Sequence, residues 1–423
     1  MMSARPLAPR WRLVALLACA AALNYADRAA FSAVLPPLRQ ELGVSDATLG
    51  LLGSLFLWSY ALASPVAGML ADRFSRRRLV LVSLAAWSLV TAATGLAQGV
   101  IPFAALRVAL GLAESLYLPA AIALLADHHD SSTRGRALGI HSLGNIVGVV
   151  AGGAFAGAVA QHSSWRYGFV ALGLAGIGLA VFARQRISDA ADPAGHAAAP
   201  RPAVATALRY LVATPSFHVL LLKTMLAGFG IWIFLNWLPL YFHERFALGL
   251  GAAGFAGTFL MQGAVMIGLA VGGWVSDRLA SRDPRNRMLI TALSYLVSAP
   301  FLLLFLSGAG IVPVIGAISI FSLLRGIGEA SEKPCLCDVV PACYRATAVG
   351  LMNTLATAAG GVGVLLAGVL KSGWGLEVVF AGCAATFTIA GVLMLAGYAW
   401  LLPRDLARAR TFAAAAAGGA RAP

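Results

Sequence analysis

The stretch WSYALASPVAGMLADRFSRRRLV, residues 58–80, decides the fold. It leaves one apolar run, passes through a short segment carrying Asp72, Arg73, Arg76, Arg77 and Arg78, and enters a second apolar run at once. Roughly 20 apolar residues suffice to cross the hydrocarbon core of a bilayer as a helix. A tight charged turn between two such runs is therefore the loop between two spans. GWVSDR at 273–278 repeats GMLADR at 68–73, so the unit around this loop occurs twice.

Working outward, apolar runs of spanning length fall at 11–37, 47–71, 78–98, 101–127, 134–160, 166–184, 215–240, 252–277, 287–308, 311–340, 345–371 and 375–402. The chain of 423 residues is 60% hydrophobic and 11% charged, with a mean hydropathy of +0.82. A soluble domain is about 25% charged. Lipid offers no partner to a free backbone amide, so the spans are helices. Short alternating strands of a barrel are absent from the sequence. The predicted fold class is an all-α membrane protein of twelve transmembrane helices in two pseudo-symmetric six-helix bundles.

The net charge of +14 does not indicate nucleic acid, because the basic residues sit in short loops rather than on one polar face. They are nearly all Arg, with Lys only at 223, 333 and 371, a bias that points to GC-rich coding and a bacterial source. The loops assigned outside carry only Arg39, Arg166, Arg245 and Lys371. This asymmetry places both termini in the cytoplasm and the chain in a cell membrane, the bacterial inner membrane. The first run resembles a signal peptide, but it continues to Pro36, and the later spans need it as a retained helix. Of the five cysteines, Cys335, Cys337 and Cys343 cluster; buried free thiols are favoured over a metal site, since no pair has zinc-ligand spacing. No metal or cofactor is expected.

The halves match at further places: GLAESLYLP (111–119) with GIGEASEKP (326–334), RALG (136–139) with TAVG (347–350), and LPPLRQELG (35–43) with LPLYFHERF (238–246). The expected domains are an N-terminal bundle at 1–184, a cytoplasmic linker at 185–213, a C-terminal bundle at 214–403 and a disordered cytoplasmic tail at 404–423. Duplicated bundles of this kind place a site near the midplane and rock about it.

The pattern Gly68-x-x-x-Asp72-Arg73-x-x-Arg76-Arg77, with its degenerate copy Gly273, Asp277 and Arg278, resembles the signature of the major facilitator superfamily. The resemblance covers essentially the whole chain and implies a transporter, not an enzyme. The motif reads as a conformational latch: Gly68 permits close helix approach, and Asp72 pairs with basic groups or a helix N-terminus. The alternative is that its arginines only set orientation. Asn24-Tyr25-Ala26-Asp27-Arg28 and Arg107-x-x-x-Gly111-x-x-Glu114 resemble the anion–cation symporter branch, and also the Spinster branch of lipid exporters.

Ionisable groups within spans are expensive and mark function. Arg28 presents a planar fork suited to a carboxylate. The resemblance to sugar-acid symporters makes Asp27 and Glu114 proton carriers tuned by Arg107. Arg107 and Glu114 lie seven apart on one face and alternatively form a structural pair. In the tenth span Arg325, Glu329 and Lys333 permit an i,i+4 ladder; Glu332 lies off it and joins Glu329 as a proton-coupling candidate. Lys223 either snorkels to the surface or faces a cavity. Tyr25, Tyr117, His141, Asn145, Trp232 and Asn236 are candidate substrate-binding liners, the tryptophan doubling as an interface anchor. Gly144, Gly148, Gly152 and Gly153 allow close helix contact; Val149 stands where the drug-antiporter motif has proline.

The leading expectation is a monomeric, proton-coupled symporter of a small organic anion, working by alternating access in the lipid bilayer. No phosphate-binding loop is present to use a nucleotide. The alternatives are a Spinster-like lysolipid exporter and, from another class, a channel or transporter-derived sensor.

Overall fold

The computed structural model describes residues 9–130, 132–187 and 204–419, which are helical with short turns. In chain order the helices are α1 (Pro9–Ala33), α2 (Leu35–Leu42), α3 (Asp46–Arg73), α4 (Arg76–Thr94), α5 (Val100–Ser115), α6 (Tyr117–His128), α7 (Arg134–His162) and α8 (Trp165–Arg184). There follow α9 (Val204–Val212), α10 (Pro215–Phe246), α11 (Leu250–Ala280), α12 (Asn286–Ser298), α13 (Ile311–Val339), α14 (Arg345–Ala396) and α15 (Leu402–Gly419). A 3₁₀ segment, Ala299–Ser307, prolongs α12.

Among the described residues, 11 helical segments are long and apolar enough to cross a membrane. The last, Ala342–Ala409, has 68 residues and holds two crossings. Its helix breaks at Gly375, whose φ of 77° and ψ of 164° are open to glycine and strained for other residues. The result is twelve crossings, at the expected places. Turn chemistry fixes several helix starts. Ser45 accepts from the Thr48 amide at 3.2 Å to open α3, and Ser75 accepts from Arg78 at 3.2 Å to open α4.

Two compact units emerge. Unit 1 comprises Met1–Ala197, Leu235–Phe259 and Val364–Val369; unit 2 comprises Ala198–Phe234, Leu260–Gly363 and Leu370–Pro423. Unit 1 thus includes the turn between α10 and α11, which the expected division at 185–213 assigns to the other half. Small residues explain why. Gly153 meets the Gly254 carbonyl, Gly157 meets the backbone of Leu250, and Trp237 Nε1 donates to the Val364 carbonyl at 3.1 Å. Arg39 on α2 pairs with Asp46 at 3.1 Å and with Glu244 at 3.2 Å.

Within unit 1, α1 and α7 pack backbone to backbone. A Cβ on Gly144, Gly148 or Gly152 would strike the backbone of Ala18, Ala22 or Ala26 respectively. The glycine row is a packing seam. At one end, Glu41 accepts from Trp165 Nε1 at 2.6 Å and Arg166 Nη2 at 2.6 Å, while Arg166 also donates to the Gly95 and Ala97 carbonyls. Partial desolvation opposes ionisation of Glu41, but the bonds from Arg166 and Trp165 and the Arg166 charge outweigh it and hold the carboxyl below its ordinary range. A depressed folded-state pKa means stability that is present above the unfolded value, about 4.3, and lost as pH falls through the folded one. Wild-type melting temperature is expected to drop more on acidification than that of Glu41→Gln; parallel pH profiles would contradict the clasp.

In unit 2, α9 and α15 complete a core with Tyr210, Leu211, Phe217, Met288, Leu336 and Leu402. The expected linker contains helix α9, and residues 188–203 of it lie outside the described residues. The tail expected to be disordered is instead helical to Gly419, because its Ala-rich sequence has high helix propensity and its first turns are anchored. Asp405 accepts from the Ser216 amide at 2.7 Å and caps α10, and Arg408 donates to the Ala213 carbonyl. Asp405→Ala is expected to remove about 1 kcal/mol of stability, seen as a lower melting temperature in detergent; an unchanged one would contradict the cap.

Candidate functional site

The charges of unit 1 meet where α1, α3, α4 and α5 pack. Gly111 permits this: a Cβ there would stand 2.5 Å from the Phe56 carbonyl and 2.9 Å from the Tyr60 amide of α3. Arg107 lies one turn before Gly111 and Glu114 one turn after it, so the close approach brings both against α3.

Arg28 Nε donates to Glu114 Oε2 at 2.8 Å, and its Nη2 donates to Asn24 Oδ1 at 3.2 Å. Three rings surround the guanidinium: Tyr25 at 4.7 Å, Tyr60 at 4.8 Å and Phe56 at 5.1 Å from Cζ. Cation–π contacts of this kind are worth roughly 0.5–2 kcal/mol each, more when desolvated. The Arg28 side chain keeps 12% of its surface, whereas that of Glu114 keeps 0%. Asp27, buried, accepts from Thr91 Oγ1 at 2.9 Å, and its other oxygen has no hydrogen bond. Arg107, also buried, donates from Nε to the Leu52 carbonyl at 3.2 Å and stacks on Phe31 (4.2 Å) and Phe56 (4.8 Å). Phe56 thus serves both guanidinium groups. Asp27, Arg28, Arg107 and Glu114 form a quartet, buried except for part of Arg28, whose formal charges cancel.

This geometry corrects one expectation. Arg107 and Glu114 share a helix face but are not an ion pair; Glu114 goes to Arg28 and Arg107 to a carbonyl. Positions on one helix do not reveal a nearer partner on another. Arg28 is not an open fork either, since a carboxylate of the chain already occupies it. Tyr117 and His141 lie in the interior of unit 1: Tyr117 donates to the Leu17 carbonyl at 2.6 Å, lies 3.2 Å from His141 Nε2, and packs on Trp87. Both are buried. Asn145 is half-buried with an unbonded Oδ1. Asn236 belongs to unit 1, its amide against Gly53, while Trp232 belongs to unit 2, its ring against Gly360.

In unit 2, Lys223 does not snorkel. It is buried, paired with Glu332 of α13, with its ammonium 4.6 Å from the centre of the Tyr295 ring. Arg325 pairs with Glu329 one turn on. The expected ladder stops there, and Lys333 is exposed.

The latch motif is also rearranged. A Cβ on Gly68 or Gly273 would meet nothing within 4 Å, so neither glycine serves a close helix approach. In unit 2 that role falls to Gly268 and Gly272, against Leu323 and Ile327. Arg76 pairs with Asp127, and Arg77 donates to the Ile187 and Arg184 carbonyls at 2.6 and 2.7 Å. Arg73 is exposed, and the Asp72 side chain lies outside the described residues. Asp277 is 79% exposed and 3.8 Å from Arg287, while Arg278 lies over Trp274 at 5.5 Å.

Sequence reasoning missed the residues that complete these clusters: Phe56, Tyr60, Thr91, Asp127 and Asp338. A signal for the last two was available. Arg76–Asp127 in unit 1 and Arg287–Asp338 (2.7 Å) in unit 2 are copies at one repeat offset. Arg134 bonds the His129 and Ala126 carbonyls just as Arg345 bonds those of Val340 and Cys337, at the same offset. The duplication preserves a whole hydrogen-bonding pattern, not only a motif.

Comparison with known proteins agrees with the geometry. The Major Facilitator Superfamily model matches residues 17–363. The hexuronate transporter of Bacillus subtilis (strain 168) is 25% identical over 405 residues, covering 91% of this chain and 90% of that protein. A probable galactarate/D-glucarate transporter of the same organism is 27% identical over 437 residues, covering 92% of each. Among solved structures, a bacterial homologue of the human lysosomal transporter Spinster, inward-facing and unoccupied, has a TM-score of 0.76 at 21% identity, covering 96% of this chain and 99% of that one. That likeness establishes a shared fold. With twelve crossings, a duplicated charge pattern and a family match over most of its length, the chain belongs to the Major Facilitator Superfamily and is a multi-pass membrane transporter.

Proposed function

We propose that this transporter couples protons to the movement of small organic acids, and that Arg28 is the group that takes the substrate carboxylate. One observation carries the reading: the Arg28–Glu114 pair, in which the arginine keeps accessible surface and the carboxylate does not. Glu114 stands in for a substrate anion. A proton on Glu114 removes its hold on Arg28 and leaves the quartet with one net positive charge in a desolvated place. That state favours an anion, and a guanidinium fork matches a carboxylate in two parallel hydrogen bonds. Loss of the proton returns Glu114 to Arg28 and expels the anion. Asp27, bonded to Thr91, is the second proton carrier, and Arg107 keeps the cluster balanced. The names of the relatives, sugar acids in both cases, support the substrate class. Both termini face the cytoplasm on this reading, since the Arg-rich loops lie at that end, and the functional form is the monomer.

Uptake of D-glucuronate and galactarate into proteoliposomes tests it. An inward proton gradient is expected to drive accumulation of at least one of them, and an uncoupler to abolish it. Glu114→Gln, fixed in the neutral form, is expected to exchange substrate across the membrane yet fail to accumulate it. Accumulation indifferent to the proton gradient, or normal in that variant, would remove the coupling scheme. Transport of lysolipid in place of either acid would favour an exporter.

A further inference from the structure

We propose that Lys223, held by Glu332, is a second carboxylate-binding cation, located in unit 2; this rests on the reading of unit 1 as an organic-acid site. Lys223 rises from α10 with 1% of its side-chain surface exposed, while Glu332 on α13 keeps 17%. The accessible end of the pair is the carboxylate. A proton reaches Glu332 directly, and an anion reaches Lys223 only when Glu332 yields it.

The surroundings argue against a simple brace. Thr224 Oγ1 donates its proton to the Leu220 carbonyl at 2.7 Å and lies 3.4 Å from Glu332 Oε1, so its lone pairs can accept from Glu332 once that carboxyl is protonated and leaves the ammonium. The Tyr295 hydroxyl on α12 is buried with no hydrogen-bond partner, and its ring lies under the ammonium. An unused buried hydroxyl is destabilising, and here it offers a donor beside the cation. The other groups facing the pair are Arg325 and Glu329, which pair through Arg325 Nη1 while the buried Nε of Arg325 has no partner, and the buried thiol of Cys335, all on α13. Glu332 is the carboxylate in direct contact with Lys223, while Glu329 is held by Arg325. A buried pair is often replaceable by apolar residues without loss of stability, so stability alone does not account for it.

Protonation of Glu332 therefore breaks the ion pair, leaves Lys223 as a buried cation, and makes a carboxylate its replacement partner. That carboxylate belongs to a diacid or to a monoacid bound at Lys223 within unit 2. Lys223 is a compact point charge and accepts either.

The experiment is calorimetric binding of galactarate and D-glucuronate to the full-length protein in detergent, for wild type, Lys223→Met/Glu332→Gln and Lys223→Arg. The double variant keeps the site neutral, and its melting temperature reports its fold. Affinity for galactarate is expected to fall about tenfold or more in the double variant, as for loss of one charge-assisted hydrogen bond, and to be largely kept by Lys223→Arg. Unchanged glucuronate affinity in the double variant shows that Lys223 selects a diacid; an equal loss shows that it takes a monoacid as well. Wild-type affinities for both acids in a folded double variant would overturn the proposal and leave the pair a brace. A wild type that binds neither acid overturns the reading of unit 1, and this one with it.

Discussion

Arg28→Ala is expected to lower organic-acid uptake about 100-fold or more, because two charge-assisted hydrogen bonds to the substrate disappear together. It also strands Glu114, whose side chain is fully buried. Removing one partner of a buried pair costs about 3–5 kcal/mol, so the single variant loses stability as well as transport. The two effects separate in Arg28→Ala/Glu114→Gln, which leaves no unpaired carboxylate. Its melting temperature is expected to recover toward wild type while uptake does not. Arg28→Lys keeps the charge but not the fork or its stacking on Tyr25, Phe56 and Tyr60, and is expected to retain only weak uptake. Uptake restored in the neutral double variant would show that Arg28 serves the fold alone.

Gly148→Leu is expected to cause a severe loss of folded protein without touching the charged quartet. A Cβ at Gly148 would overlap the carbonyl of Ala22 on α1, and the α carbon of Ala22 would lie 2.7 Å away. Helix backbone cannot yield as a flexible side chain can, so α1 and α7 must separate. Overpacking typically costs about 1–3 kcal/mol and more when backbone must move. Asp27 and Arg28 ride on α1, so residual folded protein is expected to bind substrate poorly. Gly139→Leu on the same helix is the control: a Cβ there meets nothing within 4 Å, and normal yield is expected. Equal yields from the two variants would contradict the seam.

The contrast between Gly148 and Gly68 shows what was legible in the sequence. Hydropathy located all twelve crossings, because a bilayer demands the same run length of each. The glycine row of α7 was readable as packing, since its spacing matches a helical face. Gly68 was misjudged because a motif does not say which face a glycine presents. The charged residues themselves stood out, as ionisable groups in apolar runs must. Their partners did not: Arg28 meets Glu114 eighty-six positions away and Asp27 meets Thr91 sixty-four away, and helical spacing speaks only within one helix. The aromatic box around Arg28 was hidden for the same reason, since Phe56 and Tyr60 look like ordinary span residues. Asp127 and Asp338 were recoverable, because the repeat aligns them. The helix of the Ala-rich tail was not legible, because Asp405 and Arg408 tie its first turns to Ser216 on α10 and to Ala213 just after α9, contacts that no local pattern announces.

Proton counting on substrate binding tests the central claim most directly. Purified full-length protein is titrated with the transported acid in weakly buffered detergent solution containing a pH indicator. If Glu114 must take up a proton before Arg28 accepts a carboxylate, the wild type removes protons from solution as it binds, and Glu114→Gln removes one fewer while still binding. Binding without proton uptake by the wild type, or identical uptake by the two proteins, would contradict the account.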